Sequence, residues 1–301
     1  MQATTLALVG ATGGAGTTRT AVELAAMGAR DGDDVAVVDA AFTTQGLSEY
    51  VTGRIDPDLT ALLTDDPDAA LSAAAYPVVG GGGNVGRAAG GEDDAPDLPG
   101  RVDAVPARAP FERVARAKTA EAARKLERRI DEAATTYDAV VVDAAPVGSN
   151  EAVAAATTAD RAVAVRPATV HGRDAAQRLR GRIADVGGSL DATLAVERPG
   201  SGDGEEGDGV VRVPATDPEV AAATASASWL VCSLTVATSS TIPTTSWVVS
   251  AWSLVAPEIS WMASLTSPST STMSSKSRSA PSMVSVLSET RSFMSSTSVT
   301  V

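Results

Sequence analysis

Residues 10–20 read "GATGGAGTTRT", between an apolar run, Leu6-Ala7-Leu8-Val9, and a helix-like run, "AVELAAM" at 21–27. A strand, a glycine loop and a helix in that order place backbone N–H groups and a helix N-terminus where they can cradle phosphates. Gly13, Gly14 and Gly16 leave room for a close approach; Ala15, Thr17 and Thr18 complete the loop. The phosphate-loop pattern G-x-x-x-x-G-K-[ST] needs a lysine before its last hydroxyl. Here Thr17 stands in that place. Two acids end other apolar runs: Asp39 after Val35–Val38, and Asp143 after Val140–Val142, three residues before Pro146. Each feature also has a plainer reading. The glycines can serve a tight β–α turn, Thr18 a helix cap, and the acids an acid-rich surface.

These residues need a scaffold, and the alternation of runs supplies one. Short β-branched or apolar segments at 5–9, 35–39, 102–105, 139–143, 161–165, 192–196 and 210–213 read as strands. Between them, 18–30, 111–134, 151–157 and 172–186 read as helices. Nearly continuous apolar strands separated by helices predict an α/β fold, a mostly parallel sheet with helices on both faces. Ligands of such sheets bind beyond the carboxyl ends of the strands. The glycine loop, Asp39 and Asp143 all fall there.

Composition bounds the rest. The 301 residues are 44% hydrophobic but only 3% aromatic, so the core must be built from Ala, Val and Leu. A net charge of −13 disfavours nucleic acid as a partner. Many acids and few lysines (Lys118, Lys125 and Lys276) suit a salt-rich, halophilic-type cytosol that screens self-repulsion. A single cysteine, Cys232, excludes an internal disulfide framework. The first residues lack a signal-peptide profile, which reads as cytoplasmic.

Residues 1–223 resemble the ParA/MinD group of deviant Walker-type P-loop ATPases, which position chromosomes, plasmids or division machinery. "TGGAGTTR" (12–19) lies over that family's K-G-G-x-G-K-[ST]-T loop. "VAVVDAAFTTQGL" (35–47) is similar to its second strand and first switch, and "YDAVVVDAAPVG" (137–148) to its Walker B strand and second switch. "ADRAVAVRPATVHGRDA" (159–175) and "VPATDPEV" (213–220) resemble the strands and loops that follow. The resemblance implies a P-loop NTPase-like fold and an ATP or ADP site at Gly13, Gly14, Ala15, Gly16, Thr17 and Thr18. It implies Mg²⁺ near Thr18, Asp39 and Asp143. It also implies a homodimer, or pairing with an active relative.

The departures bear on activity. Thr12 replaces the family's signature lysine, Thr17 the loop lysine, and Ala41 the second acid of D-x-D that helps arrange the attacking water. A lysine ammonium ~4 Å from a phosphate oxygen contributes roughly 4 kcal/mol at an effective dielectric of ~20. Its loss weakens binding about a thousandfold, and turnover more. Arg19 is next to the lost position but is expected to leave the helix in another direction. The resulting expectation is a degenerate ATPase, a pseudo-ATPase with a regulatory role. An active ATPase with a cation supplied from elsewhere or from a second subunit, and a scaffold that binds no nucleotide, are the alternatives.

Other features have surface explanations. His171, the only histidine, should mark an exposed helix start. Lys118, Lys125, Arg113, Arg116, Arg124, Arg128 and Arg129 should form a solvated basic face on the 111–134 helix. The segments 80–100 and 199–209 have too little apolar surface to pack and read as mobile loops. A boundary is expected near Thr224. Beyond it, 35 of 77 residues are Ser or Thr and only Glu258 and Glu289 are acidic. That tail, 225–301, reads as low-complexity and poorly structured, or as a misread frame of an acid-rich gene, with no convincing membrane segment.

Overall fold

The computed structural model describes residues 3–80, 99–197 and 210–213. The expected boundary near Thr224, the tail, the 199–209 loop, the segment after Val213 and all but the ends of the 80–100 loop lie outside them.

Strand β1 (Thr4–Gly10) leads through the glycine loop into α1 (Thr17–Asp31), then to β2 (Asp34–Ala40). There follow α2 (Leu59–Thr64), β3 (Tyr76–Gly80), β4 (Arg101–Val105), α3 (Phe111–Ala117), α4 (Ala120–Thr136) and β5 (Ala139–Ala144). The described chain closes with α5 (Asn150–Thr158), β6 (Arg161–Pro167), α6 (Val170–Asp185), β7 (Ala192–Val196) and β8 (Val210–Val213). One sheet holds all eight strands in the order β3-β4-β2-β5-β1-β6-β7-β8. Every pairing is parallel except β3 with β4.

Alternation along the strands divides the core into two layers. Ala7, Val9, Ala36, Val38, Val140, Val142, Ala162 and Ala164 pack towards Leu126, Ile130, Ala154, Leu179 and Ile183 of α4, α5 and α6. Leu6, Leu8, Val35, Val37, Val141 and Val163 pack towards Ala21, Val22, Leu24 and Ala25 of α1. Central strands buried on both faces explain their nearly unbroken apolar sequence. The core is aliphatic as composition requires: Phe42 is its one fully buried phenylalanine among the described residues.

The 111–134 segment departs from the sequence reading. Residues 111–134 are two helices, because Thr119 is extended and its side chain accepts the Ala122 N–H as the cap of α4. The basic residues there are not one solvated face. Arg129 is buried and donates to Glu132 and to the Pro67 carbonyl. Arg113 pairs with Asp58 and Asp65, Arg116 with Asp65, and Lys125 Nζ donates to the Leu63 carbonyl. These cations pin α3 and α4 to α2 and the turn after it; Arg116 stays exposed while paired, as do Arg124 and Arg128 without such a pair being needed for the contact. His171 is exposed in the first turn of α6, as expected.

Candidate functional site

Strand β1 lies between β5 and β6. The chain leaves it in one direction, through α1 to β2, and later crosses it in the other, from β5 to β6. A reversal of this kind opens a crevice beyond the carboxyl ends of the strands. A pocket of about 590 Å³ lies there, lined by the whole loop from Thr12 to Thr18, with Arg19, Ala41, Thr44, Gly46, Glu49, Tyr50, Asp143 and the segment Ala144–Pro146.

The loop turns on two left-handed glycines, Gly14 (φ +68°) and Gly16 (φ +90°), a conformation that side chains with a Cβ rarely adopt. Gly16 caps α1 with no side-chain hydrogen bond, and the first turn has no acidic residue. In α2, α4 and α6, by contrast, Asp58, Thr119 and Thr169 cap the N-terminus. The orphan N–H groups of α1 and the positive end of its dipole therefore point at the pocket. Because Gly16 is the cap, Thr18 is not; it lies inside the first turn. A Cβ built on Gly46 would come 3.1 Å from the Thr18 hydroxyl, so the loop after β2 presses on that side chain.

Asp39 and Asp143 are register partners on neighbouring strands, and both are fully buried. Asp39 Oδ1 accepts the Ala41 N–H at 2.8 Å and Oδ2 the Ala107 N–H at 3.3 Å. Burial, and then the Asp143 charge, push its carboxyl up to about 8. Burial pushes Asp143 up to about 6, against the pull of the nearby Thr18 hydroxyl. Neither Asp143 oxygen makes a well-formed hydrogen bond among the described residues. Two carboxylates out of water without a counter-charge repel each other, and they call for a proton or a cation.

These residues fit Mg²⁺ as far as they go. Mg²⁺ binds through one or two carboxylates, waters and the substrate's phosphates rather than in an all-protein cage. Thr18 and the orphaned Asp143 oxygens offer such a half-shell. Among the described residues no group of three His, Cys, Asp or Glu side chains offers a fuller one.

Three features of the site were hidden in the sequence. Arg19, expected to leave the helix in a different direction from the lost lysine, lines the pocket, its Nε donating to Glu23 Oε1 at 2.6 Å. Gln45, at φ +53°, clamps the loop after β2: its amide exchanges hydrogen bonds with the backbone of Ala109 at 3.0 and 2.9 Å. Lys118, at the corner between α3 and α4, places Nζ 2.8 Å from Thr43 Oγ1 and 3.1 Å from Glu151 Oε1. It thereby joins the loop after β2 to the first turn of α5. Asn150 returns a bond to the Lys118 carbonyl.

The architecture has close counterparts among solved structures. The cell-division ATPase MinD of Pyrococcus furiosus superposes with a TM-score of 0.58 at 18% identity, over 74% of this chain and 88% of that one. MinD of Pyrococcus horikoshii, solved with Mg-ADP, gives 0.57 at 19% identity, over 74% and 85%. A ParA family ATPase from Chlorobium tepidum gives 0.60 at 16% identity, over 83% and 98%. No family model and no curated protein matches the sequence. The likeness is one of fold: the chain has the architecture of the ParA/MinD P-loop ATPases that its motifs resemble.

Proposed function

We propose that this protein binds ATP or ADP with Mg²⁺ weakly in the glycine-loop pocket and acts as a degenerate, regulatory counterpart of the ParA/MinD ATPases. Its work in this reading is chromosome or plasmid partition or division positioning, through a second copy of itself or an active relative. The observation that carries the reading is the Asp143 carboxylate, buried with no well-formed hydrogen bond among the described residues, beside an uncapped, glycine-turned helix start. A turn needed only for folding has no use for such an acid.

Each residue has a role in that reading. The loop N–H groups and the α1 dipole hold phosphate oxygens. Thr18 and Asp143 hold the cation, with Asp39 behind them fixed by two backbone N–H bonds. Bound Mg²⁺ supplies positive charge for the phosphates and relieves the repulsion between the two acids. What is missing is catalytic. Position 41 is an alanine on the pocket wall and cannot orient water, and positions 12 and 17 carry no charge. Phosphoryl transfer depends on cations that stabilise its transition state, so turnover suffers more than binding.

Among the described residues no helix is long and apolar enough to cross a membrane. Titration of the full chain with Mg-ATP and Mg-ADP, followed by a turnover assay, tests the reading. Binding with negligible turnover is expected. Ordinary ATPase turnover would make the protein an active enzyme, and no binding would make it a scaffold.

A further inference from the structure

The loop has no lysine, yet the pocket is not without a cation. Of its lining side chains, Asp143 and Glu49 carry negative charge and Arg19 alone carries positive charge. Arg19 sits in the first turn of α1, next to Thr18, with its side chain one quarter exposed. Its Nε is anchored to Glu23 Oε1, one helical turn further on. Glu23 is mostly buried, and burial pushes its carboxyl up while the Arg19 charge draws it down, so each member of the pair depends on the other. The contact to Glu23 is made through Nε, which leaves the two Nη groups outside that ion pair. A guanidinium held by Nε keeps its terminal fork in a fixed plane, the geometry that meets two oxygens of a phosphate.

We infer that Arg19 takes the place of the missing loop lysine as the cation that meets the nucleotide's phosphates, with Glu23 holding it in position. This inference rests on the nucleotide reading above and adds a residue to it. The exchange changes the chemistry of the site. A loop lysine is a flexible point charge on a long stem, whereas Arg19 is tethered at one corner to the pocket wall. It attracts phosphate in the ground state but is not free to follow charge as it moves in a transition state. Contacts equally strong in both states tighten binding without accelerating reaction. The site therefore retains nucleotide without regaining turnover.

The test is calorimetric titration of the full chain with Mg-ADP across a series of KCl concentrations. Four proteins are compared: wild type, Arg19→Lys, Arg19→Gln, and the double variant Arg19→Gln/Glu23→Gln. The double variant removes the buried carboxylate that Arg19→Gln alone would leave unpaired, so it separates lost ligand contact from local damage. Arg19→Gln and the double variant should both bind roughly 10- to 100-fold more weakly and with a shallower salt dependence. Arg19→Lys should recover part of the loss. Wild-type affinity in the double variant, or an unchanged affinity and salt dependence in Arg19→Gln, overturns the inference and leaves the nucleotide reading standing. Failure of the wild type itself to bind Mg-ADP overturns the nucleotide reading, and the inference with it.

Discussion

The sheet carries aspartates at both ends, and they live under opposite conditions. At the amino ends, Asp138, Asp160 and Asp191 each precede a strand and are exposed to water. Each accepts a backbone N–H from a neighbouring strand: Asp138 from Asp34, Asp160 from Thr5 with the Thr5 hydroxyl added, and Asp191 from Ala162. At the carboxyl ends, Asp39 and Asp143 are buried side by side, and Asp143 has no well-formed hydrogen bond among the described residues. The same side chain satisfies the fold at one end and is left wanting at the other. An acid that completes hydrogen bonds is explained by the fold; an acid that lacks them needs something outside the chain.

The sharpest way to break this contrast is at the loop. Gly16→Val forces a branched side chain into a left-handed conformation (φ +90°) with Val196 only 3.5 Å from its Cβ. Nucleotide affinity should fall by more than ~100-fold, since every loop N–H shifts. Retained affinity would place the ligand elsewhere. Circular dichroism should show the fold intact.

Next in size is the pH response of the buried pair. An aspartate whose carboxyl is raised in the folded state binds its proton more tightly there than in the unfolded chain. Its contribution is therefore full in acid and lost as pH climbs through the folded value. Between about pH 4 and 8, Asp39, raised to about 8, should make the metal-free protein progressively less stable. Asp39→Asn should flatten that trend, raising Tm above wild type at pH 8 and not at pH 4. Mg-nucleotide should raise the wild-type Tm most at the alkaline end. Parallel melting curves for wild type and Asp39→Asn across the range would mean the pair is relieved in some other way.

A third measurement restores what the loop lacks. Thr17→Lys should tighten Mg-ADP binding by roughly 10-fold or more, with hydrolysis still far below that of an ordinary ATPase, because Ala41 cannot orient water. Full activity from this one change would show that position 41 matters less than argued. The smallest effect belongs to the amino end. Asp160→Ala removes two bonds to Thr5 and should lower Tm by roughly 2–4 °C, leaving nucleotide affinity unchanged. A change in affinity would mean that the two ends of the sheet are not independent.

Much of this was legible in the residues. The seven strands read from alternation all exist, two of them with the expected bounds, because buried parallel strands need β-branched and apolar side chains nearly throughout. Strand β3 was not read: Pro77 and the glycine run that follows argue against a strand. An antiparallel edge strand tolerates both, and here it is irregular between Pro77 and Val79. Helix α2 is six residues long, too short for a helical period to show, although Asp58 caps it through the Ala61 and Thr60 N–H groups. The glycine loop and the two acids could be placed because each ends a strand. The direction of Arg19 could not, because it is set by Glu23, a turn away. Lys118 was hidden for a related reason, its partners lying 75 and 33 residues distant in the chain.

That lysine gives the pocket a mechanical property. Thr43 lies in the loop after β2, between the pocket-lining Ala41 and Thr44, and Glu151 in the first turn of α5, and a single ammonium holds both. Glu151 is buried and its second oxygen has no partner among the described residues, so pulling Lys118 away takes the one contact its first oxygen is shown to make. Removing the partner of a buried carboxylate is costly, because the charge is left uncompensated out of water. One ammonium thus ties the loop after Asp39 to the start of α5, so that a displacement of either segment carries the other along or breaks the tie.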